Sequence, residues 1–168
     1  MDTQAGLGRG NLLPAFSLAA ANRERPVSLW DYKPRRNLAL VFIPQARGWD
    51  ELLRAIGSHS AEYAELEAEV LVVVPEAVEV IEEIARRYAF PVLSDPDGDL
   101  WRRCVGGAPD LASASATALV ADRWGEVYGR VLLDRAEAAA GERQMLEWLD
   151  LIEIQCPECF PPEWPAAG

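Results

Sequence analysis

The strongest chemical signal in this 168-residue sequence is a pair of cysteines near its carboxyl terminus. Cys156 and Cys159 are separated by a proline and a glutamate. Two thiols at this spacing can close a disulfide, exchange it with another disulfide, or supply half of a tetrahedral zinc site. The pair follows a predicted helix, whose carboxyl end carries a partial negative charge and disfavours a thiolate. We therefore expect slow thiols, and structural, redox and metal roles all stay open.

Two other residues have side chains capable of chemistry, but their neighbours favour structural roles. Cys104 lies on a predicted short helix beside Trp101, a setting typical of a buried, unreactive thiol. His59 shares the apolar stripe of a predicted helix, which favours a partly buried ring with a hydrogen-bond partner. Zinc would need both residues beside the tail cysteines, or two subunits that each donate a pair. No metal ligand is assigned, and no cofactor is expected.

Composition and charge narrow the classes of protein. The chain has 16 Lys and Arg against 27 Asp and Glu, so its net charge is −11. This charge repels phosphate backbones and anionic lipid surfaces, which argues against a nucleic acid or a membrane as partner. No apolar run approaches the roughly 20 residues of a bilayer span, and the polar amino terminus has no signal-peptide core. We expect a cytoplasmic protein.

The elements that must position these residues alternate between strand and helix. Continuous apolar runs at 37–43 and 70–74 are typical of strands buried on both faces. Apolar spacings of three and four predict helices over 49–67, over 77–88 and over 141–154. A hairpin is predicted from 15–19 and 26–29, and another from 116–121 and 126–133. The alternation predicts an α/β domain with parallel strand pairs.

Five segments, in this order, resemble the peroxiredoxin or redoxin branch of the thioredoxin-like fold. The resemblance covers 12–154 and is carried by 13–18 (LPAFSL), 26–32 (PVSLWDY), 40–44 (LVFIP), 90–95 (FPVLSD) and 117–125 (TALVADRWG). It implies a three-layer α/β/α sandwich with a mixed central sheet and an amino-terminal β-hairpin. Residues 1–11 are then a flexible lead-in, and 155–168 form a proline-rich tail that carries the cysteine pair.

The resemblance also implies where the reactive cysteine should lie. Members of this family place it just after the strand-end proline, in the first turn of the next helix. The corresponding loop here contains Pro44, Arg47, Gly48, Trp49 and Glu51, and no cysteine. The family's Pro-x-x-x-Thr-x-x-Cys pattern would require threonine at Gly48 and cysteine at Glu51. The family arginine, expected at about 114–116, is absent as well. The loop is therefore interpreted as vestigial.

These observations predict a thiol-disulfide oxidoreductase or antioxidant in which any redox activity belongs to Cys156 and Cys159. Its partner would be a thiol reductant or another protein, and the resemblance implies a homodimer. Two alternatives stay open. One is a non-catalytic scaffold that binds a protein partner through the loop face near Trp49 and Arg47. The other is a dimer stabilised by zinc.

Overall fold

Residues 5–155, the part described by this computed structural model, form a five-stranded mixed sheet, a short hairpin and five α-helices. The elements in chain order are β1 (Ser17–Leu18), β2 (Val27–Ser28), β3 (Asn37–Phe42), α1 (Asp50–Ser58), α2 (Ser60–Glu65), β4 (Ala68–Val74), α3 (Val78–Ala85), β5 (Val92–Ser94), α4 (Asp99–Cys104), β6 (Ser115–Ala121), β7 (Val127–Asp134) and α5 (Ala138–Glu153).

The main sheet has the strand order β5-β4-β3-β6-β7. Strands β3, β4 and β5 pair in parallel, and β6 pairs antiparallel with both β3 and β7. The separate hairpin pairs β1 with β2. The predicted α/β class, the mixed sheet and the amino-terminal hairpin are confirmed.

The central strand β3 is buried along its whole length, as its apolar run predicts. Because side chains alternate across a strand, Ala39 and Val41 join the core beneath α1, α2, α3 and α5, whereas Leu38 and Leu40 face α4 and the hairpin. These two cores produce the three-layer arrangement. None of the helices in the described residues is long and apolar enough to cross a bilayer.

The helix predicted over 49–67 is two helices that meet at His59. The Ser58 hydroxyl donates to the carbonyl of Ala55 at 2.8 Å and so competes with the helical hydrogen bonds. A Gly-Ser pair, here Gly57 and Ser58, is a common place for a helix to bend. The single-helix prediction is therefore wrong at this point, and the break turns the His59 ring toward α5.

Part of the expected lead-in contacts the domain. The amide of Leu7 donates to the carbonyl of Cys104, and that of Gly10 to the carbonyl of Val127, both at 2.8 Å. These bonds join residues 7–10 to the layer formed by α4 and β7.

The loop after β3 and the carboxyl end of α5 lie at opposite ends of the main sheet. The loop over 44–49 leaves the carboxyl end of β3, whereas Asn37 begins that strand roughly 17 Å away. The side chain of Asn37 donates to a carboxylate oxygen of Glu153 at 2.7 Å, so the carboxyl end of α5 lies at the far end from the loop.

Candidate functional site

The loop at the carboxyl end of β3 is anchored to the neighbouring strand connections. The amide of Ala46 donates to a carboxylate oxygen of Glu76 at 2.7 Å. The backbone of Glu76 is held in turn, because the Ser94 hydroxyl donates to its carbonyl at 2.6 Å. The loop that faces the start of α1 is therefore tied to the connection after β4 and, through it, to the last residue of β5.

Two residues shape the entry into α1. Gly48 has a φ of +85°, a left-handed conformation that glycine adopts without a steric penalty. Trp49 is the residue immediately before the helix, and its side chain is only 1% exposed. The indole therefore fills the space at the helix start as part of the core.

An arginine from a distant segment covers this tryptophan. The guanidinium carbon of Arg135 lies 5.3 Å from the Trp49 ring centroid, a cation–π distance. The same guanidinium donates to the carbonyl of Ser113 at 3.2 Å. A Cβ on Gly48 would come within 3.3 Å of the guanidinium carbon, so glycine leaves the room that this arginine occupies.

Two buried hydrogen-bond donors of Trp49 and Arg135 are unpaired within the described residues. Nε1 of Trp49 and Nε of Arg135 have no hydrogen-bond partner among residues 5–155. Asp50 and Glu51 add negative charge to the first turn of α1, where it compensates the partial positive charge of the helix start. Both donors are buried, and the loop and the first turn of α1 contain no thiol nucleophile.

The chain and its loop have counterparts in a known protein family. A sequence model of the AhpC/TSA family matches residues 10–128, more than half of the chain. The chain belongs to the AhpC/TSA family. This match confirms the resemblance found in the sequence. The family is one of redoxin-like or peroxiredoxin-like thiol oxidoreductases.

Solved structures similar to this AhpC/TSA chain share its fold. Peroxidoxin BcpB from Mycobacterium tuberculosis has a TM-score of 0.74 at 21% identity, with 89% of this chain and 99% of that chain covered. Peroxiredoxin Q from Xanthomonas campestris has a TM-score of 0.67 at 17% identity, covering 82% and 91%. A thiol:disulfide interchange protein DsbE, described as putative, from Chlorobium tepidum has a TM-score of 0.65 at 22% identity, covering 86% and 99%. The search of curated sequences found no significant match.

The structure brings the predicted loop residues of this AhpC/TSA chain together at one end of α1. Pro44 and Trp49 are buried, whereas Arg47, Gly48 and Glu51 are exposed. The partner-binding alternative assigned Trp49 to a contact surface, but a side chain that is 1% exposed offers almost none. Of the two residues named for that alternative, Arg47 alone is accessible.

Arg135 is the residue at this site that sequence reasoning missed. The resemblance implies an arginine at about 114–116. Arg135 lies next to that segment, because its amide donates to the carbonyl of Ala114 at 2.9 Å. The guanidinium thus comes from the neighbouring strand end. The pairing of β6 with β7 could have indicated this, but a register shift between Val120 and Ala121 moves the partner of every earlier residue by one.

Within the described residues, the family's thiol chemistry has no nucleophile. Cys104 is fully buried, and burial raises the pKa of its thiol to about 12, a change that the positive charge of Arg103 only partly offsets. The predicted burial of Cys104 is confirmed. Cys156 and Cys159 lie outside the described residues, which end at Gln155, just beyond α5.

A second titratable cluster lies on α5. Glu142 is 2% exposed, and both of its carboxylate oxygens lie 3.0 Å from Nδ1 of His59. The Tyr63 hydroxyl donates to one of these oxygens at 2.8 Å, and burial together with the Glu142 charge raises the pKa of Tyr63 far above its usual value. His59 is therefore the partly exposed, hydrogen-bonded ring that its helix position predicted.

The two extra zinc ligands considered from the sequence lie apart. His59 contacts α5 on one face of the sheet, whereas Cys104 belongs to the core on the opposite face. Among residues 5–155 no group of three His, Cys, Asp or Glu side chains is arranged to hold a metal ion. A zinc site within one chain that combines both residues is therefore incompatible with this fold.

Proposed function

We propose that this protein is a thiol-disulfide oxidoreductase of the redoxin type in which the peroxidatic loop is degenerate and the exchange is carried by Cys156 and Cys159. The burial of Trp49 supports this most directly. Its ring fills the start of α1, two residues before Glu51, where the family pattern would place the sulfur, and Arg135 covers the ring. Glu51 itself is exposed and carries a carboxylate in place of that thiol.

The cysteine pair supports a balanced exchange. The Cys156 thiolate attacks a substrate disulfide, forms a mixed disulfide and displaces one substrate thiolate. Cys159 then attacks Cys156 and releases the second thiolate. The substrate gains two electrons and two protons, and the pair becomes a disulfide that a thiol reductant must reduce again. The attacking role is assigned to Cys156 because it is the nearer of the two to α5 in the sequence, and the electron balance is the same if the two roles are exchanged.

The described chain ends at the opposite end of the domain from the loop. Gln155 follows the carboxyl end of α5, which lies beside Asn37 at the opposite end of β3. The negative end of the helix and the Glu153 carboxylate disfavour a thiolate in the residues that follow. We therefore expect slow exchange that does not involve Trp49.

The test measures the reduction of a small disulfide, such as glutathione disulfide, by reduced protein. Replacement of Cys156 or Cys159 by serine should slow the reaction at least tenfold, and the control C104A should stay within twofold of the unmodified protein. In a second assay with hydroperoxide, a variant without any of the three thiols should consume none. Equal rates of disulfide reduction in all variants would reject the assignment.

The non-catalytic alternative makes the opposite prediction for the same variants. If the chain is a partner-binding scaffold, the exposed Arg47 is the loop residue available for contact. Disulfide reduction would then stay at background in every variant, and capture of a partner would depend on Arg47.

Assembly and location complete the proposal. We expect a homodimer in a reducing, cytoplasmic environment, which would keep the tail cysteines available as thiols. Sedimentation of the reduced chain tests the dimer, and elemental analysis tests whether zinc holds it together. A monomer would contradict the proposed dimer. A dimer with one zinc ion for each pair of tails would favour the zinc-stabilised alternative.

A further inference from the structure

A cavity of about 520 Å³ lies at the other end of the domain from the loop. Its walls come from the second half of α1, the start of α2, the first residues of β4 and the segment before β5. This volume is in the usual range for small-molecule sites. We call it the arginine cleft and define it by Arg36, Arg54, Arg87, Tyr88 and Phe90.

The charge of the cleft opposes that of the protein. Three arginines and one acid, Glu69, line it, a local charge of +2 in a chain whose net charge is −11. Arg36 and Arg54 form no ion pair within the described residues, and Arg87 contacts the exposed Glu83 at 3.4 Å. Burial raises the pKa of Glu69, and the Arg36 charge acts in the opposite direction. The cleft therefore offers guanidinium groups to an anion.

One wall of the cleft is aromatic. The rings of Tyr88 and Phe90 are stacked, with centroids 4.9 Å apart and planes inclined by 16°. Gly57 of α1 also lines the cleft, and a Cβ there would lie 3.7 Å from the Tyr88 ring. A glycine in this helix leaves space beside the rings that a larger side chain would fill. The wall is shaped for contact with a flat apolar group.

The aromatic wall is held in place by hydrogen bonds from the amino-terminal hairpin region. The Asn22 side-chain amide donates to the carbonyls of Ala85, Tyr88 and Phe90 at 3.0, 3.2 and 2.8 Å. Its oxygen accepts from the amide of Val92 at 3.1 Å. Because these bonds exist without a ligand, little ordering of the wall would oppose binding.

We propose that the arginine cleft binds a small organic anion with a flat aromatic body, such as an aromatic carboxylate. The ring lies along the half-buried Tyr88, which is stacked on the buried Phe90, and the acid group lies among the guanidinium groups. Guanidinium forms paired, charge-assisted hydrogen bonds with carboxylates. This site is separate from the loop and does not depend on the tail cysteines.

The test uses the fluorescent anion 8-anilinonaphthalene-1-sulfonate on the full-length protein. Saturable binding at one site is expected, with displacement by 2-naphthoate. R36Q and R54Q should each weaken binding about five- to tenfold, because each removes one charge-assisted contact. R25Q, a change of an exposed arginine outside the cleft, should leave the affinity unchanged. The uncharged N-phenyl-1-naphthylamine should bind at least tenfold more weakly.

A steric variant provides an independent check. Gly57→Leu places a side chain in the cleft and should abolish saturable binding while the far-ultraviolet circular dichroism stays unchanged. If that variant does not fold, the two exposed arginine variants decide. The proposal is overturned if millimolar probe shows no saturable binding, if R54Q and R25Q bind alike, or if the neutral probe binds as tightly as the anion.

Discussion

The two ends of helix α1 have similar components and opposite accessibility. At the amino end, Gly48 makes room for Arg135, whose guanidinium lies over the buried ring of Trp49. At the carboxyl end, Gly57 adjoins an aromatic pair in a cleft whose arginines are exposed. The tryptophan and arginine at the amino end are therefore packed against each other, whereas the arginines at the carboxyl end are open to a ligand.

This contrast also separates packing from recognition. The guanidinium of Arg135 contacts an indole and a backbone carbonyl of its own chain. The guanidinium groups of Arg36 and Arg54 have no hydrogen-bond partner among residues 5–155. An arginine already engaged within the protein contributes to stability, whereas an exposed one beside an apolar wall remains available to a ligand.

The largest expected effect tests whether Trp49 is a core residue. Trp49→Ala removes a buried indole and should lower the free energy of unfolding by about 3–5 kcal/mol, because it leaves a cavity that the surroundings fill only partly. Arg54→Ala, at the open end, should change it by less than about 0.5 kcal/mol. Urea denaturation followed by circular dichroism measures both. A loss below about 1 kcal/mol for the tryptophan variant would contradict the comparison.

Cys104, which is buried and lies outside α1, predicts that the free energy of unfolding falls at alkaline pH. Its pKa is raised to about 12, whereas in the unfolded chain it has the usual value of 9. Between these values, unfolding releases the thiol proton, so stability falls with rising pH by about 1.4 kcal/mol per pH unit. Below pH 9 the contribution is fully present. C104A should lack this share of the slope in denaturation at pH 8 to 11, and parallel curves would contradict the assignment.

A smaller effect on stability tests Tyr63, which lines the arginine cleft and donates a hydrogen bond to Glu142. Y63F removes a 2.8 Å hydrogen bond to a buried carboxylate and should cost about 1.5 kcal/mol in unfolding free energy. The matched control is Y88F, because the Tyr88 hydroxyl has no hydrogen bond among the described residues, and it should cost under about 0.5 kcal/mol. Equal losses would show that the Glu142 contact contributes nothing specific.

The glycines near the two ends of α1, Gly48 before it and Gly57 within it, predict stability changes of opposite sign. Gly48→Ala places a side chain at φ +85° beside the Arg135 guanidinium and should cost about 1 kcal/mol. Gly57→Ala adds a methyl group at ordinary contact distance from Tyr88 within a helix and should stabilise by up to about 1 kcal/mol. Thermal unfolding of both variants measures the difference. The same sign for both would contradict the distinction between the closed and open ends.

The fold was largely predictable from the sequence because its signals are local. The apolar run that became β3 is buried on both faces, as predicted, and helix α5 begins within a few residues of the predicted start. The error lies at His59, where the apolar spacing continues through a break. The Ser58 hydroxyl competes for the carbonyl of Ala55 without changing the spacing of the apolar residues, so the apolar pattern did not reveal the helix break.

The candidate site was predictable only in part. The loop residues and the missing cysteine could be read directly, because they are consecutive in the chain. Arg135 could not, because its position beside Ala114 depends on the register shift at Val120. A shift of one residue reverses the direction in which strand side chains point, and no local pattern marks where such a shift occurs.

The sequence by itself determined that this is an acidic α/β chain with a cysteine pair at 156 and 159 and none in the loop after Pro44. Only the tertiary structure decided that Trp49 is buried beneath Arg135, that Glu142 meets His59 from 83 residues away, and that arginines from three segments share one cleft. Composition and periodicity depend on neighbours along the chain. These contacts depend instead on strand register and helix packing, which bring distant residues together only when the whole domain folds.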